Sequence, residues 1–328
     1  MDFTDKTILV TGGSGSIGSH LIEELIKQNC KTIRVLSNNE HELYHLQKKH
    51  KNQKNLRYLL GDVRDYKRLV IATNGANIVF HAAALKHVPI CEFNPFDAVQ
   101  TNVIGTQKII EACIESDVEK FVFISTDKAA SPSSTLGATK LLAERLTISA
   151  MSYRKSLTHP ILYCVRFGNV LGTRGSVLDL FLEQAKSGKP LTVTNNEMTR
   201  FTMTPTQAVN LIISTLDIAK GGEIFVLKMN ALKIIDLAKS VIELYSKNPK
   251  NHEIIKTGIR ESEKMHEDLI TKDEVSRVKE SEQLYIIPEQ NSNNYKELSN
   301  ISEPYSSNLV EALSTDKIKK ILTEIYPE

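Results

Sequence analysis

The chain has 328 residues, long enough for one dinucleotide-binding domain and a smaller second lobe. Its 41 Lys and Arg nearly balance 39 Asp and Glu, which gives no electrostatic reason to expect nucleic acid or an anionic membrane as partner. No apolar run approaches the roughly 20 residues of a membrane span, no signal-peptide pattern opens the sequence, and the four Cys form no C-x-x-C pair; a cytoplasmic setting without a bound metal is expected.

A short apolar run at residues 7–10 reads as a strand ending at Thr11-Gly12-Gly13. Apolar residues at helical spacing follow over 17–26. Further strands are expected at 32–36, 57–60, 76–81, 120–125 and 161–167. Helices are expected at 40–50, 98–116 and 137–151. Strands alternating with helices imply parallel pairing and right-handed crossovers: an α/β fold with a Rossmann-type, doubly wound parallel sheet. Beyond about residue 170 the alternation loosens, leaving a strand at 223–227 and a helix at 234–245. The expected organisation is a dinucleotide-binding domain at 1–170, with further elements from within 200–230, and a smaller α/β substrate-binding lobe mainly at 171–288. A C-terminal tail follows at 289–328; its stretch 289–300, rich in Asn, Ser and Glu, predicts little regular structure, and 315–325 a short helix.

The motif Thr11-Gly12-Gly13-Ser14-Gly15-Ser16-Ile17-Gly18 lies between a strand and an amphipathic helix. Glycines without Cβ let backbone approach a pyrophosphate, and the helix start adds unpaired N–H groups. Gly12, Gly15, Ser16, Ile17 and Gly18 are therefore cofactor-binding candidates. The second strand ends in Leu36-Ser37-Asn38-Asn39, with no carboxylate for ribose hydroxyls; Ser37 and Asn38 suit a 2′-phosphate, so NADP is expected over NAD. Asp62 suits the adenine amino group, and the small Ala82 and Ala83 let a cofactor lie against backbone, although tight helix–sheet packing explains alanines equally well.

Ser125-Thr126-Asp127-Lys128 closes the fifth strand, and Lys140 follows twelve residues later. Ligands lie beyond the carboxyl ends of strands in such sheets, so these groups converge where chemistry belongs. A helix cap is the plainer alternative for Ser, Thr or Asp at this point.

With these segments, together with residues 81–89, 101–106, 166–170, 174–177, 198–201, 221–226 and 258–267, the chain resembles the extended short-chain dehydrogenase/reductases. Within them it is similar to the UDP-N-acetylglucosamine 4,6-dehydratases of surface-glycan biosynthesis, over roughly residues 1–288. The resemblance implies a UDP-sugar substrate and oxidation at C4. Loss of water across C5 and C6 and return of the hydride to C6 then give a 4-keto-6-deoxy sugar, with C5 inversion favoured. It implies Lys128 as the C5 base, Asp127 as the acid for C6, Thr126 on the C4 oxygen, and Lys140 on the nicotinamide ribose. A base must be neutral, so the Lys128 pKa needs lowering, by Lys140 or by burial. The resemblance adds Val63, Asn102 and Lys86 to the cofactor candidates, and Lys86, Asn169, Arg174, Val177, Thr199, Arg200, Arg260 and Glu263 as substrate candidates, the arginines for the diphosphate. It also implies a homo-oligomer, joined through helices 98–116 and 137–151. Two departures stand out: Leu136 occupies the place of the usual tyrosine, and Glu261-Ser262 that of Pro-Gly. Thr126 relaying to Lys140, or a water, would then serve at C4. A nucleotide-sugar 4-epimerase and an impaired NADP-binding protein are the rival readings.

Overall fold

The computed structural model describes every residue except Arg260, Asn291, Pro327 and Glu328. Six parallel strands form its centre: β1 (Thr7–Thr11), β2 (Thr32–Ser37), β3 (Leu56–Leu60), β4 (Ile78–His81), β5 (Lys120–Ile124) and β6 (Ile161–Arg166). They lie in the order β3-β2-β1-β4-β5-β6, so the strand order reverses between β1 and β4. All five β1 residues are buried, as expected of a strand covered by helices on both faces. Helix Ser16–Lys27 buries Leu21, Ile22 and Leu25 against this sheet.

The sheet continues beyond β6. Strand Ile224–Leu227 pairs parallel to β6, and Leu284–Ile287 pairs antiparallel to it. Residues on both sides of 200 therefore share one sheet. A second core forms where Leu178, Phe181 and Leu182 of helix Val177–Ser187 meet Leu237, Val241 and Ile242 of helix Ile234–Tyr245 and Ile318 and Leu322 of helix Thr315–Ile325.

One expected element changes, and two features went unread. The helix read over 98–116 is broken: a short helix Pro95–Ala98 leads into a π-helical turn, Val99–Ile104, before the α-helix Gly105–Glu115. Pro95 starts the first piece without losing a hydrogen bond, and the wide turn brings Asn102 to the backbone of Leu85. Helix Tyr66–Thr73 went unread; Asp65 caps it by accepting from the Arg68 N–H at 3.2 Å. The stretch 289–300 holds the short strand Ser299–Asn300 and anchors through Tyr295, whose hydroxyl donates to Glu223 at 2.6 Å.

Arg166, at the end of β6, is fully buried with two carboxylates. Its guanidinium donates to Glu144 at 2.7 and 3.0 Å and to Glu274 at 3.0 Å twice. A fifth bond reaches the Leu269 carbonyl at 2.9 Å. Burial alone would raise the Glu274 carboxyl, but Arg166 outweighs it and holds that group below the ordinary range. Removing one partner strands a buried charge, so Glu274→Ala is expected to cost about 3–5 kcal/mol of unfolding free energy. Urea unfolding measures it, and a loss under about 1 kcal/mol would contradict the assignment.

Candidate active site

A cleft of about 1120 Å³ opens at the carboxyl ends of the central strands, across the β1/β4 reversal. Its floor is the glycine loop. Gly12 has φ +66°, and a Cβ there would lie 2.6 Å from the Ala83 backbone nitrogen; on Gly18 it would overlap the Gly12 carbonyl. Gly15 precedes helix Ser16–Lys27 without a side-chain cap, so the first-turn N–H groups at Ser16 and Ile17 stay available in the cleft wall. Backbone shaped this closely around an uncapped helix start fits a dinucleotide pyrophosphate.

The adenosine end differs from expectation. Ser37, Asn38, Asp62 and Val63 line the cleft. Yet the Ser37 hydroxyl is bonded to Ser14 at 2.7 Å, and Asp62 is engaged by Arg64 at 2.8 Å, which holds its carboxyl below the ordinary range. A carboxylate does reach this end: Glu42 lines the cleft, accepts from the Ser14 hydroxyl at 3.2 Å and pairs with Arg174. It stands in the first turn of helix Glu40–Lys49, where Asn39 caps its N–H. A helix starting directly after β2 was the signal for it.

Arg174 donates to the Ser14 carbonyl at 3.0 Å, and Lys86 donates to the Arg174 carbonyl at 2.6 Å. The segment carrying Arg174 thus arches over the glycine loop. Arg200 does not line the cleft. It is buried and donates to the carbonyls of Thr199, Lys264 and Met265 at 2.7, 2.9 and 3.2 Å, with Glu263 at 3.8 Å. Thr199 bonds inward to His266 and Ser307. Asn102 holds the backbone of Leu85, a wall residue, at 2.8 Å and does not itself line the cleft. Asn169 and Val177 do line the cleft, and Arg260 lies outside the described residues.

The charged centre sits at the end of β5. Thr126, Lys128 and Lys140 line the cleft, with the fully buried Asp127 behind them. Lys128 Nζ donates to Asp127 Oδ1 at 2.9 Å, and Thr126 Oγ1 donates to the same oxygen at 2.8 Å. Thr126 therefore turns to Asp127, and the relay to Lys140 is not formed. Lys140 Nζ instead donates to the Ile124 carbonyl at 2.6 Å, above the Phe123 ring. Leu136 forms an apolar part of the wall with Cys91 and Ala98 behind it. The expected lowering of Lys128 is not found: burial pulls its pKa down, but Asp127 and Glu267 outweigh burial and raise it. Glu267, 3.9 Å from Lys128, closes the 263–267 segment that carried the resemblance, yet its type and position gave no role in advance.

The 3-2-1-4-5-6 sheet, the glycine loop at its reversal and the lysine-bearing turn after β5 make this a Rossmann-type doubly wound fold with a cleft at its switch point. Residues 8–289 match the family described as polysaccharide biosynthesis protein, and the chain belongs to it. It is 49% identical to an uncharacterized membrane protein of Methanocaldococcus jannaschii, covering 98% of this chain and 97% of that one. It is 38% identical to a UDP-glucose 4-epimerase of Rickettsia rickettsii, over 98% and 96%. The solved structure of Pen from Bacillus thuringiensis superposes with a TM-score of 0.93 at 40% identity, over 99% of both chains. Among the described residues no helix is long and apolar enough to cross a membrane, and no cluster of His, Cys, Asp and Glu is arranged to hold a metal.

Burial lowers Lys140 from 10.5 to about 8. Between these values the unfolded chain binds the extra proton, so this group makes stability rise with pH across that window. Lys140→Met is expected to lack the rise. Urea unfolding at about pH 7 and about pH 10 would show a smaller gain in the variant; equal gains would remove the burial account.

Proposed function

We propose that the chain is a UDP-N-acetylglucosamine 4,6-dehydratase that uses a nicotinamide dinucleotide, NADP or NAD. The carrying observation is the 2.9 Å pair of Lys128 and Asp127 at the cleft wall: an amine and a carboxyl side by side, with leucine in place of a phenol. Gly12, Gly15, Ser16, Ile17, Gly18, Val63 and Ala83 would hold the dinucleotide, whose nicotinamide supplies hydride acceptance and donation when bound.

In this reading Thr126 holds the C4 oxygen, and a water takes the hydroxyl proton as the C4 hydride leaves for the bound dinucleotide. The ketone formed there acidifies the C5 hydrogen, which Lys128 removes as a proton. Asp127 protonates the C6 hydroxyl, the C6–O bond breaks and water leaves. Both steps need the uncharged forms, amine and carboxylic acid. Lys128 donates to Asp127 across 2.9 Å, so a proton that crosses this bond yields both forms at once. Elimination then restores the ion pair, since Lys128 gains a proton as Asp127 loses one. Closure of the cleft over substrate favours the uncharged pair, because expelled water no longer solvates either charge.

A 4-epimerase is the second reading, favoured by the name of the Rickettsia relative. Epimerisation needs no C5 base and no C6 acid, and leaves the buried Asp127 without a task.

Incubation with UDP-N-acetylglucosamine in deuterated water, followed by NMR, separates the two. The dehydratase yields a 4-keto-6-deoxy sugar with deuterium at C5, whose couplings report inversion or retention. A C4 epimer that keeps its C6 oxygen and gains no deuterium would overturn the proposal. Lys128→Ala is expected to lower C5 exchange by at least about 100-fold while dinucleotide stays bound. Exchange at the parent rate would remove Lys128 from the role.

A further inference from the structure

We infer that Glu267 and Asp127 form a buried carboxyl pair holding one proton between them, so that Glu267 keeps Asp127 able to serve as the acid at C6. The role assigned to Asp127 rests on the dehydratase reading; the pair itself rests on geometry.

Two buried carboxyls flank one ammonium. Lys128 Nζ lies 2.9 Å from Asp127 Oδ1 and 3.9 Å from Glu267 Oε1. The Glu267 side chain is 5% exposed and the Asp127 side chain 0%. Asp127 Oδ2 and Glu267 Oε2 are both buried with no hydrogen-bond partner. Buried carboxylate oxygens are normally satisfied, so an orphan oxygen on each of the two carboxyls around Lys128 is a place for a proton.

The surrounding charges do not tie Glu267 off. Arg200 Nε stands at 3.9 Å and Lys264 Nζ at 3.8 Å, beyond hydrogen-bond range. Arg200 is occupied by backbone carbonyls and Glu263, Lys264 donates to the Ala130 carbonyl at 2.9 Å, and His266 turns to Thr199. Ser307 pins the Glu267 backbone, accepting from its N–H at 2.9 Å and donating its own N–H to its carbonyl. The carboxyl is thus aimed at the Lys128–Asp127 pair from a fixed frame. Burial, and next the Asp127 carboxylate, push the Glu267 carboxyl above its ordinary range, with Lys128, Arg200 and Lys264 pulling the other way. Even with Lys128, Arg200 and Lys264 within 4 Å of Glu267, burial makes two ionised carboxyls costly, and one proton shared between them relieves the repulsion. The proton that the two carboxyls hold is then at hand for Asp127 to deliver to the C6 oxygen. Glu267 thereby acts through Asp127, as a positioning residue for its proton.

Two measurements on the intact chain test this. The first needs no turnover: the infrared band of a protonated carboxyl, in the wild type and in Glu267→Gln and Asp127→Asn. The pair predicts one band that disappears in both variants. A band that survives in Asp127→Asn would mean that burial alone protonates Glu267, and would overturn the pair, as would no band in the wild type. The second uses substrate. Glu267→Gln is expected to lower elimination about tenfold or more and to move the high-pH limb of turnover down by about one unit. C5 exchange should persist, so that deuterium appears in recovered substrate, and Glu267→Asp should restore part of the turnover. Unchanged turnover and pH limb in Glu267→Gln, or equal loss of exchange and elimination in both Glu267 variants, would overturn the inference. Absence of dehydration by the wild type would count against the functional reading and leave the infrared result to decide the pair.

Discussion

One guanidinium holds the catalytic end of this molecule together. Arg166 stands at the end of β6 and grips Glu144 from helix Thr135–Ser149 and Glu274 from the short helix Lys272–Val275. Glu144 also accepts from the Ser125 hydroxyl at 2.6 Å, one residue before Thr126. The turn with Asp127 and Lys128, the helix with Lys140 and the segment leading from Glu267 are thus fixed to one buried point. Desolvating three charges costs several kcal/mol for each ion, and their attraction and shared hydrogen bonds offset much of that. The gain lies less in net stability than in register. Five directed bonds from a planar group leave little freedom for the elements they join.

The two halves of the cleft work by opposite means. The glycine-loop side presents backbone: a loop that tolerates no Cβ at Gly12 and a helix start without a cap. Such a surface meets anionic oxygens with N–H dipoles and needs few charged side chains. The chemical side packs Asp127, Glu267, Lys128, Arg200 and Lys264 into one poorly hydrated cluster. There each proton position alters the energy of its neighbours, because little water screens them. Lys140, between the two halves, is held over the Phe123 ring and lowered by burial, an amine within reach of both protonation states.

Much of the fold was legible because periodicity is local. The strands read at 7–10, 32–36 and 120–125 match β1, β2 and β5 within a residue, and the helices at 234–245 and 315–325 match in full. The break at Pro95–Ala98 and Val99–Ile104 was not, since an apolar face continues through a π turn with little change in spacing. The glycine loop and the residues after β5 could be read from the sequence, because strand ends place them at the cleft whatever surrounds them. Arg174, Arg200 and Glu42 could not. A long side chain reaches several ångströms in any direction, and only tertiary contacts decide that Arg200 turns to carbonyls while Glu42 and Arg174 meet over the glycine loop. Glu267 is the extreme case, because a glutamate on a surface loop and one beside a buried lysine look alike in sequence.

The ties of Arg166 also say something about time. Its partners lie 22 and 108 residues away along the chain. Contacts of such separation form late in folding, since closing a long loop costs entropy before any bond is made. Until the segment with Glu267 and Glu274 docks, the sheet can close around Arg166 only with half of its counter-charge present. A chain stalled at that stage would carry the glycine-loop half of the cleft without its charged half. The backbone-lined wall should therefore assemble before the buried charges meet, in refolding as in synthesis from the ribosome.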